Sequence, residues 1–140
     1  MILLDTSGLL AAIDAGQADH AAAANALREA RPPLLLSPFV LAELDYLLAT
    51  RVSSAAEADL LQEVADGAYQ LEPFDRLDVE QALEVIRRYE DIELGLADAS
   101  IVVLANRHHT SAVLTLDERH FRTVRWNDNQ AFRLLPADSP

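Results

Sequence analysis

The chain has 140 residues, 51% hydrophobic and 24% charged, which suits one soluble globular domain with a real core spanning residues 1–140. It has no cysteine, so disulfide frames and thiolate metal sites are excluded. The formal net charge is −12 and every Lys-or-Arg position is arginine, which argues against loose electrostatic adhesion to nucleic acid.

Any contact with a polyanion must therefore be local. Residues 1–100 hold 19 acids against 6 arginines, whereas residues 101–140 hold 4 acids, 5 arginines and three of the four histidines. The C-terminal third is the place to look. Met1–Leu4 is a short apolar strand that reaches Asp5 at once, without the basic start and long apolar stretch of a signal peptide. No apolar run approaches the roughly 20 residues needed to cross a bilayer. A cytoplasmic protein with no membrane contact is expected.

Asp5-Thr6-Ser7 can start a helix whose apolar stripe is Leu9, Leu10 and Ile13. An alanine-rich helix follows over Ala21–Ala30 and ends at Arg31-Pro32-Pro33. Leu34–Leu36 is the second strand. Ser37 then caps a helix with Pro38 at its first position, running to about Thr50. Ser54 and Glu57 fit a capping box for the next helix, which stops at Gly67. Tyr69–Leu71 is a short strand, and Asp75 or Asp78 begins a helix reaching Tyr89. Gly95 breaks the chain before a helix from Leu96 to about His108. Ala112–Leu116 is a strand, Asp117–Phe121 a turn or short helix, and Val124–Trp126 and Phe132–Leu135 are further strand candidates. Strands alternating with longer amphipathic helices predict an α/β sandwich around a mostly parallel sheet of four or five strands.

Most acids fit wet helix faces; four do not. Asp5 ends the first strand, where ligands bind in α/β sheets, although it could equally cap the following helix. Glu43 has Phe39, Val40, Tyr46 and Leu47 three and four residues away, so it projects from an apolar face, where an unpaired carboxylate is costly. Asp45, two residues on, reads as a solvated charge. Asp98 has Leu94, Gly95, Ile101 and Val102 as its helical neighbours, but its place in the first turn also suits the helix dipole. Asp117 ends Leu114-Thr115-Leu116-Asp117 as Asp5 ends the first strand, and it too could be a cap. Taken together they describe one site. Two unit charges 4 Å apart repel by about 4 kcal/mol at an effective dielectric of 20. A hard divalent cation, Mg²⁺ or Mn²⁺, would resolve this, and zinc fits less well. The adjacent His108 and His109 read as surface or RNA-contacting groups rather than ligands.

Four segments carry a family resemblance: Ile2-Leu3-Leu4-Asp5-Thr6-Ser7, Ser37-Pro38-Phe39-Val40-Leu41-Ala42-Glu43-Leu44, Gly95-Leu96-Ala97-Asp98-Ala99-Ser100, and Leu114-Thr115-Leu116-Asp117-Glu118-Arg119-His120-Phe121. In this order and spacing the chain resembles PIN-domain nucleases, specifically VapC-type toxins of bacterial toxin–antitoxin pairs. The resemblance implies a PIN-like α/β/α sandwich and an endoribonuclease that inhibits translation by cutting the sarcin–ricin loop of ribosomal RNA or a transfer RNA. It implies that Asp5, Glu43, Asp98 and Asp117 hold one or two Mg²⁺ or Mn²⁺ ions, with Thr115 orienting a carboxylate or water and Ser7 a second candidate for that role. It also implies a VapB-type antitoxin partner and a homodimer.

The expected chemistry is hydrolysis of an RNA phosphodiester by a metal-activated water. Arg119, Arg122 and Arg125, with His120, are candidates for holding phosphates beside the site, since the arginine fork matches phosphate. Trp126 could stack on a base but fits a core or interface role better. A receiver domain would need a lysine at its acidic pocket, and the chain has none. An aspartyl phosphatase would want a second Asp at position 7, where Ser7 stands, and no Gly-rich loop ends in Gly-Lys as a P-loop requires. The remaining alternative is a non-catalytic interaction module whose acids receive a partner's arginines.

Overall fold

The computed structural model describes residues 1–140. Five short strands, β1 (Ile2–Leu4), β2 (Leu34–Leu36), β3 (Gln70–Leu71), β4 (Ala112–Leu114) and β7 (Arg133–Leu135), form one all-parallel sheet in the order β3-β2-β1-β4-β7. The remaining two, β5 (Arg125–Trp126) and β6 (Gln130–Ala131), pair as a small antiparallel hairpin. Parallel strands covered on both faces should read as unbroken apolar runs, and β1 is buried at every residue.

The crossovers are helices α1 (Thr6–Ile13), α2 (His20–Glu29), α3 (Pro38–Arg51), α4 (Ser54–Ala65), α5 (Arg76–Arg88) and α6 (Leu96–His108), with a one-turn α7 (Glu118–Phe121) after β4. α1 packs on α2 and α3, α3 on α4 and α6, and α5 on α6. Helix α6 is buried without interruption from Ala99 to Ala105, as expected of a helix apolar all round. Its charged residues are therefore confined to its two ends, with Asp98 at the N-terminal one, and the one polar side chain in the buried stretch is Ser100.

The chain steps outward from β1 to β2 and β3, then returns to lay β4 on the other side of β1. That reversal makes a crevice beyond the carboxyl ends of β1 and β4, the place where open α/β sheets bind ligands. A close approach sharpens it. A Cβ at Gly8 would lie 2.4 Å from the Leu114 carbonyl oxygen and 2.7 Å from the Thr115 nitrogen, so only glycine lets α1 start against the end of β4.

Several local expectations are corrected. The α4 cap is Ser53, which accepts from the Ala56 N–H, not Ser54 with Glu57. At α5, Asp75 and Asp78 act together as a capping box. Strand β4 stops at Leu114: the Thr115 N–H still donates to the Leu135 carbonyl, and the chain then turns, with the Asp117 N–H donating to Thr115 Oγ1. The β5–β6 hairpin has no glycine; Asn127 and Asp128 take the left-handed turn at φ 45° and 67°, which short polar side chains tolerate. Asp45 is half-buried beside Glu57 rather than freely solvated, and that contact with Asp45 raises the Glu57 carboxyl.

Candidate active site

Asp5 leaves β1 at the crevice and is 4% exposed. It occupies the cap position of α1, yet its side chain makes no capping bond. Instead the Ser7 and Thr115 hydroxyls both donate to its Oδ2, at 2.8 and 2.7 Å. Each hydroxyl has one hydrogen, so both are committed to the carboxylate, and their oxygens accept in turn. The Leu116 N–H donates to Ser7 Oγ at 2.9 Å and the Asp117 N–H to Thr115 Oγ1 at 2.9 Å. The turn after β4 is thus tied to the start of α1 through the two hydroxyls that orient Asp5. Burial pushes the Asp5 carboxyl up, with the two hydroxyls opposing and Asp117 adding to the rise.

Asp117 divides its two oxygens. Oδ1 accepts the His120 N–H at 3.0 Å and caps α7, while Oδ2 lies 2.8 Å from His120 Nδ1. The capping role and the site position coexist because a carboxylate has two oxygens. Asp98 sits in the first turn of α6, with Oδ2 3.6 Å from the same Nδ1. Its carboxyl is pushed up to about 6 by burial and by the charges of Asp5, Asp117 and Glu43, against the opposing effect of His120. That single carboxyl therefore feels the other three acids: four separated stretches of chain converge here.

Glu43 corrects an expectation. It is exposed: of the four apolar neighbours Val40 is buried and Phe39 and Leu47 are half-buried, but Tyr46 is 65% exposed, so Glu43 lies at the edge of the covered face rather than in its middle. It lies near enough to Asp98 for its charge to add to the rise of that carboxyl, but outside the close group of Asp98, Asp117 and His120. What fixes α3 against α6 is a hydroxyl chain: Ser37 and Ser100, both fully buried, meet at 2.6 Å, and Ser100 donates onward to the Ala97 carbonyl at 2.6 Å. Neither this link nor Gly8 stood out in the sequence, since small residues next to acids carry no periodic signal.

The basic groups are placed unevenly. His120 enters the site. Arg122, expected to hold phosphate, is bridged between Glu118 and Asp138, at 2.9 and 2.7 Å, which anchors the C-terminal segment. Arg125 folds back onto the carbonyls of Arg122, Thr123 and Val124. Arg119 is exposed on α7. Trp126 is half-buried against the core and donates to the Ala131 carbonyl. His108 is not a free surface group either: its Nε2 contacts the buried Glu72, which Arg107 also reaches at 3.3 Å. Burial alone would raise Glu72, but Gln70, His108 and Arg107 outweigh it and hold it below the ordinary range.

The donor set fits a hard divalent cation. It is oxygen-rich, two of its acids are held above their usual values by burial first and by neighbouring carboxylates second, and ligand atoms of Asp98, Asp117 and His120 lie within 4.8 Å of one another. Asp5 and Asp98, with Asp117, could hold such an ion from the crevice, and Glu43 could reach it from α3.

The chain is similar to known proteins over nearly its whole length. The PIN domain family matches residues 2–127. Ribonuclease VapC26 of Mycobacterium tuberculosis is 44% identical over 135 residues, covering 96% of this chain and all of that protein. The crystal structure of M. tuberculosis VapC20, described as a sarcin–ricin loop cleaving toxin, superposes with a TM-score of 0.78 at 25% identity, over 84% of this chain and 90% of that one. The FitAcB structure from Neisseria gonorrhoeae shares the fold, with a TM-score of 0.66 at 23% identity over 95% of this chain and 97% of that one. Four acids at the topological switch of a parallel sheet, and relatives that span nearly the whole chain, lead to one conclusion: the chain belongs to the PIN-domain family, among its VapC-type ribonucleases.

Proposed function

We propose that this protein is a metal-dependent endoribonuclease toxin in which Asp5, Glu43, Asp98 and Asp117 hold one or two Mg²⁺ or Mn²⁺ ions. The observation that carries the reading is Asp98: burial and three neighbouring carboxylates lift it to about 6, a state that a divalent cation would relieve. When bound, the ion would supply Lewis acidity toward water and toward the scissile phosphate. The chain's own residues do the positioning. Ser7 and Thr115 hold Asp5 by one oxygen, Asp117 is held by its capping bond, and the Ser37–Ser100 link sets the separation of α3 and α6. No side chain is needed as a covalent nucleophile. Exposed Arg119 is the remaining arginine of its group for contacting substrate phosphates.

The sarcin–ricin loop is the substrate we place first, by likeness to VapC20, and transfer RNA second. We infer a VapB-type antitoxin that sets a basic residue among the four acids. Apolar groups exposed on α3 and α4 (Tyr46, Leu61) and on α5 (Leu77, Leu83) support burial against the antitoxin or a second copy of the chain. Mapping cut sites in total bacterial RNA with purified protein and Mn²⁺ tests the reading. Cleavage at discrete sites that disappears with Asp5→Asn or Asp98→Asn is expected, and cleavage unchanged in both variants would refute it. A non-catalytic interaction module would show neither cleavage nor a Mn²⁺-dependent rise in melting temperature.

A further inference from the structure

The imidazole of His120 is held in an arrangement that neither the four-carboxylate site nor a phosphate-binding role requires. Its Nε2 lies 2.9 Å from the Ile92 carbonyl oxygen. A carbonyl can only accept, so Nε2 carries the hydrogen and Nδ1 of the neutral ring is a bare acceptor. That acceptor points at two others, Asp117 Oδ2 at 2.8 Å and Asp98 Oδ2 at 3.6 Å. Nδ1 is shielded from solvent, and despite its closeness to Asp117 no hydrogen bond to it is formed. With the ring neutral, three lone-pair donors from two segments of chain therefore converge with no hydrogen between them.

We propose that Nδ1 of His120 is a direct ligand of the divalent ion, beside Asp98 and Asp117. The proposal rests on the metal-dependent reading above and adds a nitrogen to it. The spacing suits the role. An ion with ligands at about 2.1 Å in octahedral array keeps neighbouring ligands about 3.0 Å apart, and the two observed separations, 2.8 and 3.6 Å, bracket that edge. The outer partner suits it as well. A ligating imidazole commonly donates its other N–H to a backbone carbonyl, which fixes both tautomer and ring plane. Here that carbonyl ends the 3-10 turn Glu90–Ile92, and the next residue, Glu93, takes a left-handed φ of 54° before the chain enters α6. The same short segment thus leads into Asp98 and supplies the acceptor for His120. A nitrogen in the set favours Mn²⁺ over Mg²⁺, because imidazole suits transition metals while Mg²⁺ keeps to oxygen.

Pulsed electron paramagnetic resonance on the Mn²⁺-loaded full chain reads this directly, since a ligated imidazole nitrogen couples to the electron spin. The expected result is a ¹⁴N coupling in the wild type that is absent in His120→Ala and His120→Asn. Mn²⁺ affinity should fall tenfold or more in His120→Ala and less in His120→Asn, whose side-chain oxygen can stand near the Nδ1 position, while Mg²⁺ affinity falls less than Mn²⁺ affinity in both. Metal-free circular dichroism and melting of each variant establish that it is folded. Binding that needs Asp98 but shows no nitrogen coupling, with His120→Ala binding as tightly as wild type, overturns the proposal and leaves the carboxylate site standing. Failure of the wild type to bind Mn²⁺ at all overturns both.

Discussion

Replacing Gly8 by alanine separates two physical accounts of that residue by sign. Gly8 lies inside α1, where helix propensity alone predicts that alanine stabilises by about 1 kcal/mol. The structure predicts the reverse. The added methyl group would meet the Leu114 carbonyl oxygen at 2.4 Å and its carbon at 2.5 Å, both backbone atoms of a central strand that cannot swing aside. Overpacking of this kind costs about 1–3 kcal/mol, and an immovable neighbour places it at the upper end. After the helix gain is subtracted, a net loss of about 2 kcal/mol remains, or about 6–8 °C in melting temperature for a chain of this size. The damage falls on the site, because the bonds from Leu116 to Ser7 and from Thr115 to Asp5 cross the same gap. The assay is thermal and urea unfolding of the metal-free protein, followed by melting with Mn²⁺. A melting temperature equal to or above that of wild type would show that α1 and β4 are not held in this contact, and the account of how Asp5 is positioned would fall with it.

Further outcomes follow from the same geometry. Thr115→Val keeps the shape but removes a charge-assisted bond to Asp5 and the acceptor of the Asp117 N–H; such a bond contributes about 1.5–3 kcal/mol. Mn²⁺ affinity measured by calorimetry should fall by tenfold or more, whereas metal-free melting falls less, since Asp5 can then take up a proton. Asp98 is raised to about 6 in the fold, so the folded state binds its proton more tightly than the unfolded chain does. Its contribution to metal-free stability is therefore greatest below about pH 4 and is lost as pH rises to about 6, by at most about 3 kcal/mol. Asp5 acts in the same direction, while Glu72 and Asp78, held low, act in the other. The diagnostic quantity is thus the difference between wild type and Asp98→Asn in urea midpoints from pH 4 to 7: the variant should gain on wild type as pH rises without metal and lose to it with Mn²⁺ present. Ser37→Ala and Ser100→Ala should each destabilise by about 1–3 kcal/mol, and their double mutant by less than the sum, because the second removal leaves no orphaned partner. An additive double-mutant cycle would dissolve the proposed link between α3 and α6.

The alternation of apolar runs and helices and the order of elements could be read from the chain, because each depends on short-range pattern. Leu34–Leu36 and Leu96–His108 are found at the bounds their sequence signals place them. The surroundings of Glu43 are not legible in the same way: a run of apolar neighbours implies burial only if all of them are covered, and Tyr46 is not. His108 and Arg122 looked free because their partners, Glu72 and Asp138, lie 36 and 16 residues away and become neighbours only on folding.

Residue type and local period determined which segments become strands and helices and which carboxylates fall at their ends, because those properties depend on a few consecutive side chains meeting water or one another. Tertiary structure alone decided that Asp5 is held by Thr115 across 110 positions, that Gly8 must lack a side chain, and that His120 turns Nδ1 toward two acids. Those outcomes depend on distances between backbones that the return of β4 alongside β1 creates, and no window of adjacent residues contains them.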